Sequence, residues 1–114
     1  MERFLIPLYK KGGIRTKEAV DLLLEQRMTL DAVYRTIAAH HGVSKRQVER
    51  SIRNCLLEIW ENADDEMRSS LVPWHSRIDP PGNREFLHAL AAHIRMERAN
   101  EKGMLLLHPL VSSS

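Results

Sequence analysis

The sequence predicts an all-α domain, a small bundle of about five or six helices containing a helix-turn-helix. Three observations carry that expectation: apolar residues recur at helical spacing along several stretches, no segment alternates with period two over a strand's length, and two helical stretches are separated by only three or four residues. The 114 residues suit one domain, 1–114, with the helix-turn-helix over 30–62 and a tail over 104–114. Hydrophobic residues are 43% and charged residues 28%, a globular mixture. No apolar run approaches the ~20 residues a membrane helix needs, so no membrane partner is expected. A single cysteine, Cys55, excludes an internal disulfide and a cysteine-based metal cluster.

The first helix is expected from about Thr16 to Arg27, with Gly12-Gly13 interrupting the chain before it and Thr16 as its N-cap. Ala19, Val20, Leu22, Leu23 and Leu24 form its apolar face. A second helix spans Leu30 to His41, with Val33, Tyr34, Ile37 and Ala38 inward, and Gly42 stops it by taking the left-handed conformation without steric cost. Ser44-Lys45-Arg46-Gln47 reads as a capping box opening the third helix. Val48, Ile52, Cys55, Leu56, Ile59 and Trp60 continue that helix as one apolar stripe to about Asn62. A short helix from Asp64 to Leu71 follows, ended by Pro73, and Asp79-Pro80-Pro81-Gly82 makes an irregular link. Asn83 is expected to cap a last helix reaching about Asn100. Phe86, Leu87, Leu90, Ala91, Ile94 and Met96 face inward on it, and Gly103 closes it.

The net charge of +2 conceals an asymmetry: residues 1–53 carry +5 and residues 54–114 carry −3. A basic half points towards an anionic partner. In the third helix Arg46, Glu49, Arg50 and Arg53 fall at i, i+3, i+4 and i+7, opposite the apolar stripe. Ala38, Gly42, Val43, Ser44 and Val48 meet the steric needs of a helix-turn-helix in front of it. A recognition helix so placed enters the major groove, where arginine can donate twice to guanine and a carboxylate can accept from cytosine. Arg50 and Arg53 are thus expected to read guanines and Glu49 a cytosine. Arg35, Ser44, Lys45, Arg46 and Asn54 are expected at the DNA backbone or flanking positions. The competing reading of the same stripe is a solvated face with Glu49–Arg53 pairing. At the level of the whole chain, the alternatives are a helical interaction or oligomerisation module and a helix-turn-helix of an unrelated family.

The stretch Ala38–Trp60, with Val-Glu-Arg-Ser-Ile-Arg at Val48–Arg53, resembles the DNA-binding effector domain of the master response regulator of sporulation (the stage 0 sporulation protein A family). Gly12 with Lys17-Glu18-Ala19-Val20, Pro81-Gly82-Asn83-Arg84-Glu85-Phe86 and Arg95-Met96-Glu97-Arg98 extend the resemblance over roughly 5–99. It implies a six-helix cytoplasmic bacterial domain that binds short, directly repeated boxes of double-stranded DNA, as a homodimer or tandem pair, and regulates transcription. Glu49, Arg50 and Arg53 match the family's base-reading residues. The resemblance also implies a contact with the RNA polymerase sigma subunit after the recognition helix, which maps to Asp64, Asp65, Glu66 and Arg68. Three departures stand out. The 114 residues include no phosphorylatable receiver domain, the link between the first two helices is shorter than usual, and Asn54 stands where the family commonly has histidine. Met104–Leu110 has no family counterpart.

Other chemistries fare less well. His40-His41 project about 100° apart, and His88 and His93 are five apart, so neither pair offers a ready two-ligand face; no metal and no cofactor are expected. Cys55 and Trp60 fall on the core stripe, whereas Trp74 is open to either a core or a stacking role. No strand-turn-helix elbow or Gly-rich phosphate loop frames a nucleophile, so no enzyme is expected.

Overall fold

A computed structural model describes residues 6–113 in backbone and residues 6–101 in side chains. Among the described residues there are five helices and no strand: α1 Lys11–Gln26, α2 Leu30–His41, α3 Lys45–Asn62, α4 Asp65–Leu71 and α5 Asn83–Ser113. The core is aliphatic, as five per cent aromatic content requires, with Val33, Ile37, Val48, Ile52, Leu56, Leu87 and Leu90 fully enclosed. Within it, Trp60 of α3 stands edge-on to Phe86 of α5, with ring centroids 5.6 Å apart.

The α2–α3 segment follows its local chemistry throughout. The Thr29 hydroxyl accepts from the Ala32 N–H at 3.2 Å and opens α2. Gly42, at φ 64°, ends it, and the Gly42 and Val43 N–H groups both bond the Ala38 carbonyl. In the Ser44 capping box, the Ser44 Oγ accepts from the Gln47 N–H at 3.1 Å and Gln47 Oε1 accepts from the Ser44 N–H at 3.0 Å. Three residues, 42–44, therefore join two well-capped helices.

The first helix departs from expectation. It begins at Lys11 and runs through both glycines, which serve packing and do not break the helix. A Cβ on Gly12 would lie 2.6 Å from the Ser51 carbonyl oxygen of α3, and one on Gly13 would lie 1.9 Å from the Pro7 carbonyl oxygen. Thr16 is an interior residue, fully buried, whose hydroxyl donates to the Gly12 carbonyl at 2.7 Å. The N-cap is Lys10, which makes no side-chain capping bond.

α4 lies within the expected span, with Asp64 as N-cap accepting from the Met67 N–H at 2.8 Å. Two features of α5 differ. Asn83 is its first residue, and its side-chain amide bonds α3 and not its own helix end. The backbone also stays helical through Gly103 to Ser113, consistent with the modest penalty of about 1 kcal/mol for one interior glycine. The side chains of the tail over 104–114 lie outside the described residues. Met96 is exposed, because it sits about 200° around the helix from Ile94.

The tight passage of α1 over α3 yields a stability prediction. Gly12→Ala should destabilise the domain by about 1–3 kcal/mol, because a backbone oxygen blocks the added methyl. Gly82→Ala, where nothing lies within 4 Å of the added atom, should leave the denaturation midpoint nearly unchanged. Urea titration of the two variants checks the contrast.

Candidate nucleic-acid interface

α3 buries Val48, Ile52, Cys55, Leu56, Ile59 and Trp60 and so turns the opposite side outward. Arg46, Glu49, Arg50 and Arg53 come together there along an open cleft of about 460 Å³. Its other walls are Tyr34 of α2 and Gly82 and Asn83 at the entry to α5. Arg46 and Arg50 are exposed, while Glu49 and Arg53 are half-buried. The Glu49–Arg53 pair of a simple solvated helix is not the arrangement adopted. Glu49 lies 3.6 Å from the Lys45 ammonium, and Arg53 Nη1 donates to the Pro81 carbonyl at 2.6 Å.

The flanking cations are tethered. Asp31, in the first turn of α2, bridges Arg35 (Nε to Oδ2, 2.8 Å) and Lys45. These two cations hold the Asp31 carboxyl down to about 2. The i, i+4 spacing of Asp31 and Arg35 was a legible signal for the first of these pairs. Ser44 has its hydroxyl and N–H in the capping box. Asn54 does not join the cleft: it lies on the α1 side of α3, in a separate groove with Lys10, Gly12 and Ser51.

In the region after α3, Asp64, Asp65 and Glu66 are exposed, but Arg68 is not available to a partner. It is 7% exposed, and its Nη1 donates to the Trp60 carbonyl at 2.9 Å and to the Ala63 carbonyl, while Nη2 meets Asp65 at 2.7 Å. A cation at the carbonyl end of α3 is favourably placed against the helix dipole. Arg68 therefore fastens α4 to α3.

The segment between α4 and α5 is held by hydrogen bonds. The Trp60 indole N–H donates to the Ser76 carbonyl at 3.0 Å. Glu85 accepts from the Trp74 indole N–H and pairs with His75 Nε2, each at 2.7 Å. His75 Nδ1 lies 2.9 Å from the Asp79 carbonyl. That backbone acceptor and the Glu85 carboxylate raise the His75 imidazole above its ordinary value. Trp74 is itself largely exposed, and Trp60 is core. Elsewhere, His40 and His41 both bond Glu18, at 2.5 and 2.9 Å, joining α2 to α1. No group of three or more His, Cys, Asp or Glu side chains among the described residues could hold a metal ion. Cys55 is buried, which pushes its thiol up.

The structure is thus a small helical bundle in which one capped helix carries three arginines and one carboxylate on the side opposite its core stripe. Residues 1–94 match the family described as sporulation initiation factor Spo0A C terminal, and the chain belongs to that family. It is a family of DNA-binding regulator effector domains, not of enzymes. No curated protein matches the chain significantly. Among the described residues, no helix is long and apolar enough to cross a membrane.

The raised His75 value sets a pH dependence. Protonated His75 can donate from both ring nitrogens, so its contribution is complete below about pH 6.5 and is lost as pH rises through the elevated native value. Denaturation midpoints at pH 6 and pH 8.5 should differ more for the natural chain than for His75→Gln.

Proposed function

We propose that this domain is a sequence-specific DNA-binding transcription regulator of the sporulation type, with α2 and α3 as a helix-turn-helix and α3 in the major groove. The observation that carries the reading is the gathering of Arg46, Glu49, Arg50 and Arg53 along one open cleft on the exposed side of α3. Arg50 and Arg53 donate to guanine O6 and N7, and Glu49 accepts from cytosine N4. A carboxylate on a face meeting a polyanion favours selection of bases over indiscriminate phosphate binding. Arg46, Lys45 and Arg35 serve the phosphates, the latter two by exchanging Asp31 for phosphate oxygens.

Tandem pairing on short repeated boxes would add affinity to a domain whose net charge is only +2. The exposed carboxylates Asp64, Asp65 and Glu66 suit a basic surface such as that of a polymerase sigma subunit. Arg68 acts there only by holding α4 in place. The setting is the bacterial cytoplasm, where the DNA is.

Selection from a random DNA pool, followed by affinity measurement on the enriched site, tests the reading. A short box, recovered in tandem copies, is expected. Arg50→Ala should lose ~1–3 kcal/mol on that box and relax selectivity at one base pair. The logarithm of the affinity should fall linearly with the logarithm of salt concentration as counterions are released. An absence of enrichment, or affinity indifferent to salt, would favour a protein-interaction module instead.

A further inference from the structure

Asn83 stands where three helices meet. Its side-chain amide donates to the Glu49 main-chain carbonyl of α3 at 3.2 Å, across 34 residues of sequence. It also borders the cleft beside Tyr34 of α2. Two residues earlier, the Pro81 carbonyl accepts from Arg53. The entry to α5 therefore touches the reading helix twice, once on its backbone and once on a reading side chain. Asn83 Oδ1 is buried and takes no hydrogen bond. The same amide also hydrogen-bonds the Tyr34 hydroxyl, so one side chain at the entry to α5 ties together α2 and α3.

We propose that Asn83 is a positioning residue for base reading: its bond to the Glu49 carbonyl sets α3 against the α5 entry so that the Pro81 carbonyl orients the Arg53 guanidinium. Arg53 Nη1 is engaged by Pro81, which leaves the remaining guanidinium N–H groups to face a base from a fixed pose. An arginine tethered in this way loses less side-chain freedom on binding than one free in solvent. Glu49 is seated by the same bond, since its own carbonyl is the acceptor. Arg46 and Arg50, which are exposed on the outer part of the stripe, are not seated by it.

This inference rests on the DNA-binding reading above, and the test separates the two. The natural chain, Arg53→Ala, Asn83→Leu and Asn83→Ala are each put through selection from random DNA, with base preference scored position by position and folding followed by circular dichroism melting. Asn83→Leu, which keeps the side-chain volume, should remain folded, yet lose preference at the base pair that Arg53→Ala also relaxes. The loss expected is roughly five- to a hundredfold, the range of one bidentate contact. Preference at the base pair relaxed by Arg50→Ala should survive. Asn83→Ala should show the same pattern, whatever its melting point while folded. A folded Asn83→Leu with unchanged preferences would overturn the proposal, as would a uniform loss on all sequences, the mark of a merely structural role. If Arg53→Ala itself changes no preference, the assignment of Arg53 fails and the positioning role with it. If the natural chain enriches no sequence, the DNA-binding reading is overturned as well.

Discussion

The rotational setting of α3 about its own axis is the constraint on which the rest of the structure depends. One helix must supply six core residues and, on its other side, a row of charged groups. A turn of a few tens of degrees would pull Val48 or Ile52 towards water and Arg50 towards the core, so the two demands are locked together. Apolar burial sets the coarse angle. Directional contacts refine it: Gly12 admits the α1 backbone against Ser51, Arg68 grips the last carbonyls of α3, and Asn83 bonds the Glu49 carbonyl.

What could be read in the sequence divides along a physical line. The α2–turn–α3 unit is written in residues within a few positions of one another, namely Thr29, Gly42, Ser44 and Gln47, and their caps form by local chemistry whatever surrounds them. The outward stripe of α3 follows from helical period alone. The features that were not legible depend on distant parts of the chain. Gly12-Gly13 reads locally as a helix breaker, and only the nearness of Ser51 and Pro7 shows these residues inside α1. Arg68 reads as a surface cation until α4 lies across the end of α3 and brings the carbonyls of Trp60 and Ala63 within reach. Asn83 reads as a cap, and its actual acceptor lies 34 residues earlier. The charged outward face of α3 was thus visible in outline, while the walls that flank it were not.

The charge asymmetry also takes on a different meaning once partners are placed. Much of the positive charge in the first half is neutralised internally: Lys10 by Glu58, Lys17 by Asp21, and Arg35 and Lys45 by Asp31. On the outward face of α3, Arg46 and Arg50 are exposed with no ion-pair partner among the described residues. Exposed cations without an ion pair among the described residues also lie elsewhere on the surface, at Lys11, Arg27, Arg77 and Arg84, so α3 shares the free positive charge with other elements.

The acceptor that holds Arg53 is a main-chain carbonyl, and every amino acid placed at position 81 would supply one. Proline adds a fixed φ and restrains the residue before it, but the oxygen itself survives any substitution. The wall of the cleft is in that respect insulated from mutational drift, whereas the side chains of α3 are open to it. Divergence among descendants of such a domain can then proceed by exchanging letters on one helix, against a frame whose key contact does not mutate.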